Sequence, residues 1–290
     1  MIQSLRDRLQ FLRELPLRLE QLDSLDQISD PVQRAVEGAV PPGSPLNEAL
    51  SGTPLGHPLH PPLTDVVVGA WTGAVVLDLV GGKRGRAAAD RLIVLGVLAA
   101  LPTVATGLND WSTLYGGTRR VGVVHGGTNV VAVGLFGTSW LARKKGRRLT
   151  GKALALAGFG AVTFTGFLGG HLSFRRGVGV DHTAFLEAPG EWTPVADEAS
   201  VKESEAMLVE VGGVDVMLVR QGESLCALVD HCAHQGGPLH EGTIEDGVVV
   251  CPWHSSHFRL SDGAALSGPT SHPQPALEVR VNEGKVEVRK

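Results

Sequence analysis

Four long apolar runs, separated by short polar turns, constrain this 290-residue chain more than anything else in it. They cover residues 64–82, 92–108, 121–142 and 153–172. A helix needs roughly 20 mostly apolar residues to cross a bilayer, with a range of about 17–25. All four runs are near that length, although the first carries Asp65 and Asp78 near its ends. Glycines within the runs suit close helix packing in lipid, and Pro102 sits inside the second. A buried soluble bundle is the competing reading, and four such runs in succession argue against it. The sequence therefore predicts a multi-pass protein of the cell membrane, with the lipid bilayer as one partner.

The flanking segments carry different signals. Residues 1–22 place leucines at helical spacing among charges, which predicts an amphipathic helix rather than a cleavable signal peptide. Such a helix packs on its own protein or lies on a membrane surface. The stretch from Val40 to Leu63 is broken by prolines and reads as a loop into the next domain. A net charge of −4 excludes nucleic acid as a bulk electrostatic partner.

Loop charge sets an expected orientation. The turns after the first and third runs, with Lys152, hold ten basic residues, against four (Arg119, Arg120, Arg175, Arg176) at the other side. The positive-inside rule puts the ten in the cytoplasm and the chain after the fourth run outside. His57, His60, His125, His171 and His182 then gather near that outer face. Ionisable groups near a bilayer are costly and point to function. His57, His60, His125 and His171 are candidate ligands for haem b or a metal ion, or the lining of a quinone site. The alternative is a set of histidines that only fix helix ends.

Residues 190–290 alternate in polarity like a soluble β-domain. Within them, Cys232-Ala233-His234 and Cys251-Pro252-Trp253-His254 are separated by sixteen residues. The chain has three cysteines, too few for a disulfide framework, so metal binding competes well. Two thiols and two imidazoles suit structural zinc, or a [2Fe–2S] cluster with one iron on two thiolates and the other on two imidazoles. Each pair lies in a loop after a predicted strand, rich in Gly or Ser, whose backbone N–H groups can point at sulfur. Cys226 falls in a strand pattern and reads as a core residue. His231, His240, His257 and His272 read as solvated loop histidines.

From about Trp192 onward the chain resembles the Rieske iron–sulfur family. The likeness rests on the Cys-x-His, the Cys-Pro-Trp-His, Phe258, Asp262-Gly263 and Gly268-Pro269. It implies that Cys232 and Cys251 hold one iron, and His234 and His254 the other. Gly236, Ser256 and Pro269 would lie around the cluster, with the Gly268-Pro269 loop covering it. Three departures stand out. The paired extra cysteines of cytochrome bc-type Rieske domains are absent. Phe258 stands where those domains have a tyrosine whose hydroxyl raises the potential. Ser255 replaces a frequent glycine. The expected potential is therefore in the lower part of the Rieske range of about −150 to +300 mV.

Residues from about 50 to 182 resemble a bacterial four-helix membrane domain that opens with a Gly-His-Pro-x-His-Pro signature. The match rests on GHPLHP, TGLNDW, HGGTNVV and GGHLSFRRGVGV, and it marks His57 and His60 without supplying an activity.

The expected architecture is a membrane α-helical bundle of four transmembrane helices plus an all-β Rieske domain, a small antiparallel sandwich with a cluster-binding subdomain. Its divisions are a helical and loop segment over 1–50, the membrane domain over 51–182 and the Rieske domain over 190–290. The expected function is membrane-anchored transfer of single electrons between redox donor and acceptor proteins or quinone. The alternatives are a membrane oxidoreductase with a haem or quinone site among its helices, and a redox-sensing module. A Rieske oxygenase would need a further mononuclear-iron domain, for which about thirty residues after Phe258 leave no room.

Overall fold

A computed structural model describes residues 2–290, with side chains from Gln10 onward. The described residues form seven α-helices, then ten β-strands. The chain divides into two compact units: one joins the segment ending at Ala39 to Leu59–Arg176, the other joins Val40–Pro58 to Gly177–Lys290.

The first unit contains α1 (Ile2–Glu20), α2 (Asp26–Ala39) and four long helices, α4 (His60–Val80), α5 (Arg86–Ser112), α6 (Gly116–Lys144) and α7 (Arg148–Arg176). All four long helices are long and apolar enough to cross a membrane. α4 pairs with α5 and α6 with α7, as short turns dictate. Val67, Trp71, Ile93, Ala100, Ala132, Phe136, Ala155 and Val162 fill the middle of the bundle. There Trp71 and Phe136 stack, with ring centroids 4.2 Å apart.

Charge organises both ends of this bundle. At one end Arg143 is buried against Asp78, its Nη1 donating to Asp78 Oδ1 at 3.0 Å, and Arg148 donates to Asp90 at 2.7 Å. These are two of the basic residues that the sequence presents as loop charges. At the other end α1 and α2 are pinned to the bundle. Arg119 pairs with Asp30 at 2.6 Å, and Arg120 pairs with Asp26 at 2.6 Å. Glu20 accepts from Arg176 Nε at 2.7 Å. The amphipathic N-terminal segment thus packs on its own protein.

The second unit includes a helix where prolines suggest only a loop. α3 (Pro45–Ser51) starts with Pro45 in its first turn, and Ser44 caps it by accepting from Asn47 N at 3.2 Å. Proline suits a first helical turn, where its missing N–H would be unpaired anyway. This segment belongs with the β-domain, so the divisions at residues 39 and 58 differ from the expected one at 50.

The β-domain holds two antiparallel sheets. β1 (Thr193–Asp197), β2 (Met207–Val211), β3 (Val214–Gln221), β4 (Ser224–Val229), β9 (Ala276–Asn282) and β10 (Lys285–Arg289) form one, in the order β1-β10-β9-β4-β3-β2. β5 (Thr243–Glu245), β6 (Val248–Val250), β7 (His257–Arg259) and β8 (Ala265–Ser267) form the other, in sequence order. Alternation along β3 sends Val216 and Leu218 into one core. It sends Met217 and Val219 into a second, shared with Val249 and Phe258 from the smaller sheet and with Leu239 and Leu260 from the segments beside it.

Candidate metal centre

Two loops carry the Cys/His pairs, and their backbones close in the same way. In the loop after β4, Cys232 N donates to Gly237 O at 2.9 Å and Gly236 N donates to Cys232 O at 2.7 Å. In the loop after β6, Cys251 N donates to Ser256 O at 2.8 Å and Ser255 N donates to Cys251 O at 3.1 Å. The fourth residue past each cysteine is left-handed, with φ +76° at Gly236 and +57° at Ser255. Glycine adopts this at no steric cost, whereas Ser255 carries strain. The loops also meet closely, since a Cβ on Gly237 would lie 3.0 Å from Cys251 Sγ.

This geometry gathers the four predicted ligands. Cys232 and Cys251 are 1% and 2% exposed, and the His234 and His254 rings have centroids 5.0 Å apart at 83°. Burial, with the neighbouring His254, pushes the His234 pKa down to about 3, so the imidazole is a neutral ligand across the physiological range. The two thiols share a hydrogen bond that lowers Cys251 to about 7 and raises Cys232. Backbone N–H groups of His234 and Gln235 point at Cys232, and those of Trp253 and His254 at Cys251, each favouring thiolate.

His234 Nδ1 and Ser256 Oγ are buried here without a protein partner. A ring nitrogen and a hydroxyl left without protein partners, on the same loops as two paired thiols, are what a two-iron, sulfide-bridged group would use. The donor set therefore fits a [2Fe–2S] group with Cys232 and Cys251 on one iron, and His234 and His254 on the other.

Several supporting residues escape sequence reading. Gln274, 1% exposed, holds the first loop from within: Nε2 donates to Val229 O at 2.6 Å and His231 O at 2.9 Å, while Oε1 accepts from Ala233 N at 2.9 Å. Asp230 accepts from His240 N at 2.6 Å and pairs with His240 Nδ1 at 2.7 Å. His240 is thus a structural residue rather than a solvated one, and His272 Nε2 is also buried. Thr53, in the segment before α4, bonds the loop that contains Pro269. Nothing local signals these contacts, because 41 residues separate Ala233 from Gln274 and 217 separate Thr53 from Thr270.

The four other candidate histidines do not form one group. His57 is exposed and belongs to the unit of the β-domain. His171 Nε2 is engaged by Glu20 Oε1 at 2.7 Å. His60 and His125 lie inside the helical unit, each with Nδ1 at 3.0 Å from a backbone carbonyl, Thr103 O and Thr165 O respectively. Cys226 is half-buried in β4 opposite Val219, and burial raises its thiol pKa.

Paired hairpin loops, each offering one thiolate and one imidazole, define a Rieske-type iron–sulfur protein of the electron-transfer class. The chain belongs to the Rieske [2Fe–2S] family. Residues 191–281 match its domain, and residues 56–182 match a family described as "Predicted membrane protein (DUF2231)". Over 98 residues the chain is 33% identical to the anthranilate 1,2-dioxygenase ferredoxin subunit of Burkholderia cepacia, covering 34% of this chain and 91% of that protein. It is 36% identical over 78 residues to ferredoxin CarAc of Metapseudomonas resinovorans, covering 27% and 73%. The ferredoxin of carbazole 1,9a-dioxygenase from Nocardioides aromaticivorans IC177 is a similar solved structure, 28% identical over 33% of this chain and 95% of its own, with a TM-score of 0.33.

Proposed function

We propose that this protein is a membrane-held Rieske ferredoxin that carries single electrons between a donor and an acceptor at the bilayer. The observation that carries this reading is a complete Cys232, His234, Cys251 and His254 donor set on the same chain as four helices long enough to cross a membrane. The similarity to ferredoxin subunits supports the carrier role. When bound, the cluster supplies reversible one-electron chemistry.

The residues around it do the rest. The two cysteines bind as thiolates stabilised by four backbone N–H groups. His234 would hold the group through its unpartnered Nδ1, leaving Nε2 to hold or release a proton. Phe258 and Leu239, both 0% exposed, exclude water beneath the site, while Trp253 beside His254 is 54% exposed at the surface. Partners are redox proteins or quinone.

The outward placement of the cluster domain keeps its support. Ion pairs engage two of the ten basic residues at one bundle end, Arg143 and Arg148. They engage three of the four at the other, Arg119, Arg120 and Arg176, so pairing sharpens the asymmetry.

The test uses the full chain. Carbonate-washed membranes should retain the low-temperature EPR signal of a reduced Rieske cluster, and Cys232→Ser should abolish it. Release of the signal into the carbonate wash would refute the membrane-held reading. Protease added to sealed vesicles of known sidedness reports the orientation.

A further inference from the structure

The helical unit contains an internal duplication that pairs two buried histidines. In α4 and α6, His60 and His125, Thr64 and Asn129, Val67 and Ala132, Trp71 and Phe136, Ala74 and Ser139, and Asp78 and Arg143 are each 65 residues apart. In α5 and α7, Ile93 and Ala155, Gly96 and Gly158, Ala100 and Val162, and Gly107 and Gly169 are each 62 apart. The structural roles match as well as the spacings. A Cβ on Gly96 would strike Trp71, and one on Gly158 would lie 2.9 Å from Phe136. A Cβ on Gly107 would lie 2.7 Å from His60 Cε1, and one on Gly169 would lie 3.2 Å from His125 Cε1. The hairpins α4–α5 and α6–α7 are therefore two copies of one unit, running in the same direction.

Register then shows what the two imidazoles face. Eighteen residues make five full helical turns, so His60 shares an angular position with Asp78, and His125 with Arg143. Asp78 and Arg143 meet across the bundle as a buried ion pair. Eleven residues from each histidine, Trp71 and Phe136 also meet across the bundle. The same stripe that makes these two contacts carries His60 and His125, roughly 16 Å along the helices from the Trp71–Phe136 stack.

Both imidazoles are prepared alike. A carbonyl oxygen can only accept, so Nδ1 carries the hydrogen that Thr103 O and Thr165 O receive at 3.0 Å. The lone pair then sits on Nε2 in each ring. Metal-bound histidines commonly donate their other ring N–H to a backbone carbonyl in this way. The residues that touch the rings from the flanking helices are small: Thr106 and Gly107 on α5, and Thr165 and Gly169 on α7. The present neighbours of Nε2 are one turn along the same helix: Thr64 Oγ1 at 3.5 Å and Asn129 Nδ2 at 3.1 Å.

The geometry points to His60 and His125 as the two axial ligands of one haem iron, held between the repeats inside the helical unit. A haem iron can be held by one protein ligand on each face, which a duplicated histidine supplies, whereas a bare metal ion needs more donors than this pair offers. His57 and His171 take no part. The inference is independent of the Rieske assignment.

The test is a dithionite-reduced minus air-oxidised optical spectrum of the purified full-length protein, with haem counted as its pyridine complex and the cluster counted by EPR in the same sample. The expected result is one haem per chain with a sharp α-band. His60→Ala and His125→Ala should each lose it, and His171→Ala should retain it. Either histidine changed to Met should shift the band, which guards against simple misfolding. Wild-type protein with a full cluster signal and no haem would overturn the proposal and leave the ferredoxin reading intact. So would haem that survives both alanine changes.

Discussion

The hydroxyl of Thr53 lies 2.7 Å from the carbonyl oxygen of Thr270, and 2.9 Å from that of Gly268. It therefore bridges the two carbonyls that flank Pro269, the residue expected to cover the cluster. Thr53 belongs to a segment that precedes the first long helix by sequence, yet folds with the β-domain. The chain thus supplies the Gly268-Pro269 loop with a clamp from outside the residues 191–281 that match the Rieske domain.

Replacing Thr53 by Val keeps its shape and removes the shared donor. Two buried carbonyls then go unpaired, at a cost of about 1–3 kcal/mol. Thermal bleaching of the oxidised cluster's visible absorbance should occur at lower temperature in Thr53→Val and near the wild-type temperature in Thr53→Ser. Equal bleaching temperatures for Val and wild type would show that the clamp contributes nothing.

Ser256 Oγ is buried without a protein partner beside the two cysteines. A hydroxyl donor there stabilises the more negative, reduced form, so its loss lowers the potential. Ser256→Ala should lower the midpoint potential in a redox titration while preserving the EPR signal. Wild type itself should titrate in the lower part of the range of about −150 to +300 mV, because Phe258 offers no second hydroxyl. An unchanged midpoint in Ser256→Ala would remove the serine from the argument.

Ligand spacing and apolar length are local signals, and both were legible in the sequence: the Cys/His pairs and the four long helices are where those signals put them. Long-range partners were not. Arg143 reads as a loop charge because Asp78, which neutralises it, is 65 residues away. His171 reads like His125 because its partner Glu20 is 151 residues away. The helix at Pro45–Ser51 did have a local signal, a serine cap before a proline, but the other prolines around it masked that start. The duplication of the helical hairpins was present as matched spacings. The stack of Trp71 on Phe136 is its structural counterpart.

Acid should loosen the N-terminal helices. Hydrogen bonds from Arg120 and then Arg119 hold the Asp26 carboxyl at about 2, below its usual 3.8. Glu20 is also lowered: burial opposes its charge, and Arg176 with His171 outweighs that cost. A depressed carboxylate contributes stability above its unfolded value and loses it as pH falls through the folded value. Attachment of α1 and α2 should therefore hold above about pH 4 and fail for Asp26 between 3.8 and about 2. Backbone hydrogen-exchange protection over residues 20–39, taken relative to the intrinsic rate at each pH, should fall in that window, and Asp26→Asn should show the lower protection already at neutral pH. Protection independent of pH across the window would contradict the role of these pairs.

The Asp78–Arg143 pair makes the most severe prediction. Its side chains are 5% and 1% exposed, and Arg148 and Lys152 also reach Asp78. Removing Asp78 strips the buried Arg143 of its two-point carboxylate partner and leaves it only Asp90 at 3.0 Å; a buried charge left wholly unpaired typically costs about 3–5 kcal/mol, whereas replacing both partners with apolar groups of similar volume is often near neutral. Asp78→Leu should therefore lower the thermal stability of the detergent-purified protein sharply. Arg143→Met in the same chain should recover part of that loss, since Arg148 and Lys152 still keep Asp78's former site charged. If the double variant is no more stable than Asp78→Leu alone, the Arg143 charge is not what the aspartate neutralises. The pair would then hold the two hairpins together only through packing, as Trp71 and Phe136 do one layer away.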